Sequence, residues 1–376
     1  MTRLCIGLLL LIAGCARPEQ TERSPRFFWP IGSTEPRIEY LGFFEKDSDI
    51  LKHRQGVLTT MLAGGIEATP LFLAPHDVAS DSAGRLLVTD SLSRTVHLYN
   101  LEARTLAVLG RLDKDGSRKN FIFGFPAGVE FLPDGSIVAV DSEKGTLEQF
   151  SSDGLHEATH YEGFFRRPTS ITYDRVAGRL LLVDTEGHAV YVIKPGETPQ
   201  QLAGGRGSGE GQFNYPLDVE VDSRSNFYVV DALNARVQIF DFRGRYKSSF
   251  GSRGTKGGAL NLPKAIGIDA QDQIYVTDAR RHQVLVYGKD GEFLTVFGAY
   301  SSAKTQGGVV PGGFSQPNGI DVDRNSTIWI CDSLNRMVHR FQYLTPRYLQ
   351  ENPVLPGDIR LPATEATSER GDGGTP

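Results

Sequence analysis

Short apolar runs, rich in β-branched and aromatic residues and separated by turn-forming residues, recur along most of the chain. In one stretch Val219-Glu-Val-Asp222 and Phe227-Tyr-Val-Val-Asp231 flank the turn Ser-Arg-Ser-Asn. Val237-Gln-Ile-Phe240 then begins six residues after Asp231, and Tyr246-Lys-Ser-Ser-Phe250 follows the turn ending at Gly244. The pattern predicts four short antiparallel strands in a row. The same order returns in Ile274 to Asp278, Val284 to Tyr287, a turn at Gly291, and Phe293 to Phe297.

The unit is repeated. Six times a proline (75, 126, 168, 216, 263, 317) is followed, with 14 or 15 residues between, by an aspartate: Asp90, Asp141, Asp184, Asp231, Asp278 and Asp332. Successive aspartates stand 51, 43, 47, 47 and 54 residues apart. Each is followed at the same offset by the start of a third strand, at Val96, Leu147, Val190, Val237, Val284 and Val338. A period of about 40–50 residues with four strands per unit predicts an all-β fold, a six-bladed β-propeller of four-stranded antiparallel blades. The last repeat lacks a fourth strand after Phe341. Arg37-Ile-Glu-Tyr-Leu41-Gly42 matches Phe293-Leu-Thr-Val-Phe297-Gly298 in pattern, so an N-terminal strand is expected to close the ring in the last blade.

Gly204-Gly-Arg-Gly-Ser-Gly209-Glu-Gly-Gln-Phe213-Asn-Tyr-Pro216, continued by Val-Val-Asp231-Ala-Leu-Asn-Ala-Arg236-Val-Gln-Ile-Phe240, resembles the signature of the NHL-repeat family of six-bladed propellers. The resemblance covers residues 37–343 and is strongest in the last three repeats.

The ends of the chain point to a compartment. Met1-Thr-Arg3 and the apolar run Leu4 to Ala13 read as an export signal too short to span a bilayer. Leu11-Ile-Ala-Gly-Cys15 resembles the bacterial lipobox. It implies a lipoprotein signal peptide at 1–14, lipidation of Cys15 and anchorage in the lipid bilayer of the cell envelope. Ala16, in place of an inner-membrane retention aspartate, favours the outer membrane. Residues 15–36 read as a flexible tether, 37–343 as the propeller and 344–376 as a disordered tail. In the 43–64 insertion, about Ser48 to Leu62 is expected to form a short amphipathic helix.

Charge and cysteines exclude some functions. The formal charge is −5, and loss of Arg3 takes it to −6, so no electrostatic case exists for nucleic acid. With Cys5 in the leader and Cys15 lipidated, Cys331 has no intramolecular disulfide partner. The terminal aspartates are expected to accept backbone N–H bonds from the turn that follows each of them. Asp81, Asp174, Asp222, Asp269 and Asp323 are expected to do the same in the hairpin turns.

The connection leading into each first strand and the loop from second to third strand share one face. Four residues after the terminal aspartates stand Arg94, Gly145, His188, Ala235, His282 and Arg336, with Arg236 and Arg281 beside them. The lead-in positions add His76, Asp77, Asp218, Lys264 and Asn318. This basic face suits an anionic partner, expected to be an envelope protein, peptide or glycan, with the histidines tuning its charge. The alternative arrangement pairs each arginine with its own blade's aspartate. No catalytic residue stands out and no cofactor is required.

Enzymes on this fold supply the competing expectation, a metal-dependent lyase or lactonase-type hydrolase at the channel mouth. Peptidyl-hydroxyglycine lyases, to which the sequence is distantly similar, hold zinc with histidines just after the lead-in prolines of three blades. Only His76 matches, against Ala127, Thr169, Leu217, Lys264 and Asn318. Lactonase-like propellers use a channel glutamate with asparagines and aspartates; Asn318 and Asp218 are candidates, but no glutamate holds a lead-in position. A divalent ion held by His76 with His188 or His282 is the remaining metal arrangement.

Overall fold

The computed structural model describes residues 26–46, 49, 70–302, 310–355, 357 and 358, apart from 32, 34, 115 and 255. The leader, Cys15 and the helix expected at about Ser48 to Leu62 lie outside the described residues, Asp49 excepted. Six antiparallel sheets form a six-bladed propeller. Each first strand packs against the first strands of both neighbouring blades, and the sixth returns to the first, so these six strands line a central channel. They are Pro75–Ser80, Pro126–Phe131, Pro168–Asp174, Pro216–Val221, Pro263–Ile268 and Pro317–Val322.

Blade 6 closes the ring with the chain's two ends. Ile38–Phe44 pairs antiparallel with Met337–Tyr343 as its fourth strand, Tyr40 opposite Phe341. The structure then adds a strand that the sequence pattern did not show. Phe27–Trp29, within the tether as delimited above, pairs with Ile38–Tyr40 as a fifth strand. Trp29 packs edge-on to Phe341 at 5.8 Å, inside the core. The tail likewise begins with structure: Pro346–Glu351 is a helix capped by Thr345, whose side chain accepts the N–H of Tyr348. Arg26 binds Glu39 at 2.6 Å and the carbonyl of Pro353 at 3.0 Å, and Tyr348 donates to Glu39 at 3.0 Å. The segments around Arg26 and Tyr348 are thereby tied to the closing blade.

The core lies between blades rather than within them. Tyr228, Val230 and Ile239 of blade 4 bury against Ile266, Ile274 and Val276 of blade 5, and comparable clusters fill the other junctions. Alternation explains this. A sheet buried on both faces needs apolar residues at nearly every position of its second and third strands, and Phe227–Asp231 and Ile274–Asp278 are buried throughout. Cys331 is one of these buried residues, free and packed beside Trp329 and Val338.

The terminal aspartates do more than cap the following turn. Asp278 accepts N–H bonds from Arg280 and Arg281 in that turn, and also from Asn261 and Leu262, just before its own blade's first strand. Asp90, Asp141, Asp184 and Asp332 bridge the same two segments, and Asp231 joins Asn214 N–H to the side chains of Asn234 and Arg236. All six are buried. The hairpin aspartates behave as expected, as in the bonds from Gln271 and Gln273 to Asp269.

Asp278→Ala leaves four N–H groups without their acceptor and is expected to cost about 3 kcal/mol or more. Asp290→Ala, on an exposed turn, should cost under about 0.5 kcal/mol. Urea denaturation of the two variants checks the difference.

Candidate functional site

A bulge opens every first strand, because the register slips between the lead-in proline and the residues that follow in all six blades. The slip puts an extra residue at the top of the channel. His76 of blade 1 and Lys264 of blade 5 stand there with Arg167, just before Pro168 of blade 3. The three basic groups thus come from alternate blades and feel one another's charge. Burial, with repulsion from Lys264 and Arg167, pushes His76 down to about 4, so it is neutral at ordinary pH. Burial and Arg167 also lower Lys264, which has no hydrogen-bond or ion-pair partner among the described residues.

Below the mouth the lining turns acidic. Two and four places after the lead-in prolines, the channel-lining strands carry five buried acids: Asp77, Asp218, Asp321, Glu130 and Glu220. Each first strand has a row of N–H groups with no partner strand on the channel side, and these acids supply acceptors across blade boundaries. Asp77 accepts from Val129, Asp218 from Ile266 at 2.7 Å, Asp321 from the amide and hydroxyl of Ser80, and Glu220 from the Thr172 hydroxyl. Small residues allow the approach. A Cβ on Gly319 would stand 2.5 Å from the Asp77 Cα, and one on Gly128 would stand 2.8 Å from the Ser170 Cα. Burial raises all five acids: Asp218 and Asp321 to about 6, Glu130 to about 8, and Asp77 and Glu220 well above their usual range.

The residues four places after the terminal aspartates share a backbone feature: Arg94, Gly145, His188, Ala235, His282 and Arg336 all have positive φ, between 50° and 69°. Three of their side chains reach the next blade. Arg94 Nε donates to Phe123 O at 2.7 Å, His282 Nδ1 donates to Ser315 O at 2.7 Å, and His188 Nδ1 accepts the Tyr215 N–H at 3.2 Å. Arg236 pairs with its own blade's Asp231 at 2.8 Å, the arrangement that stood as the alternative, whereas the Arg281 side chain binds Gln283 and Ala259 O instead of an aspartate. Asn318 donates to Ser333. Arg336 is exposed at the rim. His188 and His282 thus engage separate blade junctions, while His76 keeps a buried Nδ1 without a hydrogen-bond partner. Among the described residues no three His, Cys, Asp or Glu side chains converge as metal ligands.

A cleft of about 360 Å³ opens on the same face between blades 3 and 4, lined by Arg166, Glu186, Gly187, His188, Arg206 and Tyr215. Apart from His188, the sequence pattern did not single these residues out. The lead-in positions were read from the proline onward, whereas Arg166 and Arg167 precede it. The sequence pattern did not single out the channel acids as a set either, although Pro-x-Asp-x-Glu in blade 4 carries their signal, the two-residue alternation of a strand with one polar face.

No family model and no curated protein matches the sequence. Solved structures do. The chain superposes on a virginiamycin B lyase from Staphylococcus aureus with a TM-score of 0.51 and 13% identity, covering 72% of this chain and 96% of that one. A gluconolactonase from Xanthomonas campestris gives 0.55 and 15%, covering 81% and 98%. A structural genomics protein of unknown function from Bacteroides thetaiotaomicron gives 0.58 and 15%, covering 80% and 75%. The shared property is the six-bladed propeller fold.

The raised channel acids set a direction for stability against pH. Glu130 holds its proton in the folded state up to about 8, against an ordinary value of 4.5. Between those limits the unfolded chain binds fewer protons than the folded one, so this group lowers stability as pH rises. Relative to wild type, Glu130→Gln should therefore gain about 1–4 kcal/mol between pH 5 and pH 8. Urea midpoints at the two pH values measure this; a pH-independent difference would contradict it.

Proposed function

We propose that the chain is an exported NHL-type propeller, anchored in the bacterial envelope through lipidated Cys15, that recognises an anionic partner on its top face. The partner class is an envelope protein, peptide or glycan. The observation that carries this reading is the cationic channel mouth. Lys264 lacks a counter-charge among the described residues, and Arg167 is close enough to lower its proton affinity. An anionic group seated at the mouth supplies the missing counter-charge, and the low-dielectric walls strengthen that attraction. Exposed Arg166, Arg206 and Arg336 extend the positive field outward.

Arg94, Arg236 and Arg281 contribute differently, since each already holds a partner that shapes the face. The neutral state of His76 removes it as a source of pH-dependent charge near neutrality. Binding of immobilised polyglutamate and polygalacturonate, measured against salt, tests the reading. The wild type should bind at least one of them in a salt-sensitive manner, and the triple variant R167E/K264E/R336E should lose about tenfold or more in affinity. Unchanged binding in that variant would refute an anionic partner at the mouth.

One observation favours a second reading, a metal-dependent lyase or lactonase-type hydrolase. The unpartnered, buried Nδ1 of His76 lies at the channel mouth, above the acids Asp77 and Asp218. A ligand set for an ion would require a third donor and charge compensation against Lys264. Metal content of the protein purified without chelators discriminates: a stoichiometric ion lost in His76→Ala supports the enzyme, and its absence from both samples counts against it.

A further inference from the structure

The cleft between blades 3 and 4 is built for a small acidic group. We infer that it is a carboxylate-binding subsite, an inference that rests on reading the top face as a recognition surface. Its floor is set by the clasp of blade 3. Asp184 takes the N–H groups of Arg166 and Arg167 on one side and of Gly187 on the other, fixing both walls on a single carboxylate. A Cβ at Gly187 would stand 2.7 Å from Asp184 Oδ2, so the close approach requires glycine there. The third wall is the connection to blade 4, held by the Gly205 N–H on His188 O at 2.9 Å and by the pairing of Arg206 with Phe213.

His188 is the informative side chain. It is only 8% exposed, and its ring meets Tyr215 edge-on at 4.9 Å. Its Nδ1 accepts the backbone N–H of Tyr215, so the proton of the neutral ring must reside on Nε2. Nε2 has no protein partner among the described residues, which leaves a fixed N–H donor on a ring that lines the cleft. Arg166 and Arg206, both exposed, also lack side-chain hydrogen bonds and ion pairs there. Two unpaired guanidinium forks and one oriented imidazole donor suit an oxyanion.

Glu186 selects among oxyanions. It stands in the same wall, its nearest cation Arg167 at 4.0 Å, and repels additional negative charge on a ligand. A planar carboxylate group, which brings one negative charge into the cleft, therefore fits better than a phosphate dianion, which brings two on one centre. The carboxylate belongs either to an acidic peptide or to a free small organic acid, and the cleft volume admits both.

Titration calorimetry on the full chain separates these cases, using a Glu-rich peptide, succinate and inorganic phosphate as probes. The expected result is saturable binding of the peptide or of succinate, weaker binding of phosphate, and a loss of about tenfold or more in R166Q/R206Q. Both replaced side chains are exposed and unpartnered, so circular dichroism of that variant should match wild type. Glu186→Gln should improve phosphate binding relative to the carboxylates. Peptide binding without succinate binding assigns the subsite to peptide recognition, and binding of succinate assigns it to free acids. No carboxylate binding, an unaffected R166Q/R206Q variant, or tighter binding of phosphate would each overturn the inference. Since the variants differ from those at the mouth, carboxylate binding that is lost in R167E/K264E/R336E but kept in R166Q/R206Q rejects the subsite alone.

Discussion

Everything on the top face hangs from the six buried terminal aspartates. Each carboxylate gathers donors from the segment that leads into its blade and from the loop between second and third strands, so two otherwise independent connections become one unit. The loop then leans on the next blade through the residue at positive φ, as Arg94 does on Phe123 and His282 on Ser315. Because the interaction repeats in every blade, the geometry of the face propagates around the ring. A buried carboxylate is costly unless several donors meet it, which is why each sits where backbone N–H groups converge.

The same residue type serves an opposite electrostatic purpose in the channel. For Asp141 burial favours the neutral form, but N–H bonds from Gly124, Phe125 and Lys144 outweigh it and hold the pKa below the ordinary value. Asp332 is likewise lowered, with His339 and backbone donors opposing burial. For Asp321 and Glu130 fewer donors compete with burial and with neighbouring acids, and the balance tips the other way. Burial, neighbouring acids and the donors that the fold aims at a carboxylate together decide whether it is a fixed charge or a proton store. The channel is thus basic at its mouth and protonatable below.

Legibility followed periodicity. The blade count, the strand order, the closing strand at Arg37–Gly42 and the turn-capping role of Asp269 all rest on local spacing, and spacing is visible in one dimension. Phe27–Trp29 escaped because three residues beside a proline carry too little alternation to mark a strand; its pairing depends on Ile38–Tyr40 already lying at a sheet edge. The arginines and histidines of the loops were visible as a set, but their partners were not. Arg236 could be seen near Asp231 in sequence, whereas the contact of Arg94 with Phe123 spans 29 residues and crosses a blade boundary.

The sequence by itself determined the repeated unit, its closure and the polar alternation along the first strands, since each depends on neighbours a few residues apart. Only the tertiary structure decided which cations remained without partners. Curling six similar sheets into a ring brings Lys264 toward Arg167 and sets Arg166 across a cleft from Arg206, groups that 97 and 40 residues of chain otherwise separate. Whether a charge is spent on its own blade or left facing solvent is settled by distances across blade boundaries, and those distances exist only once the ring has closed.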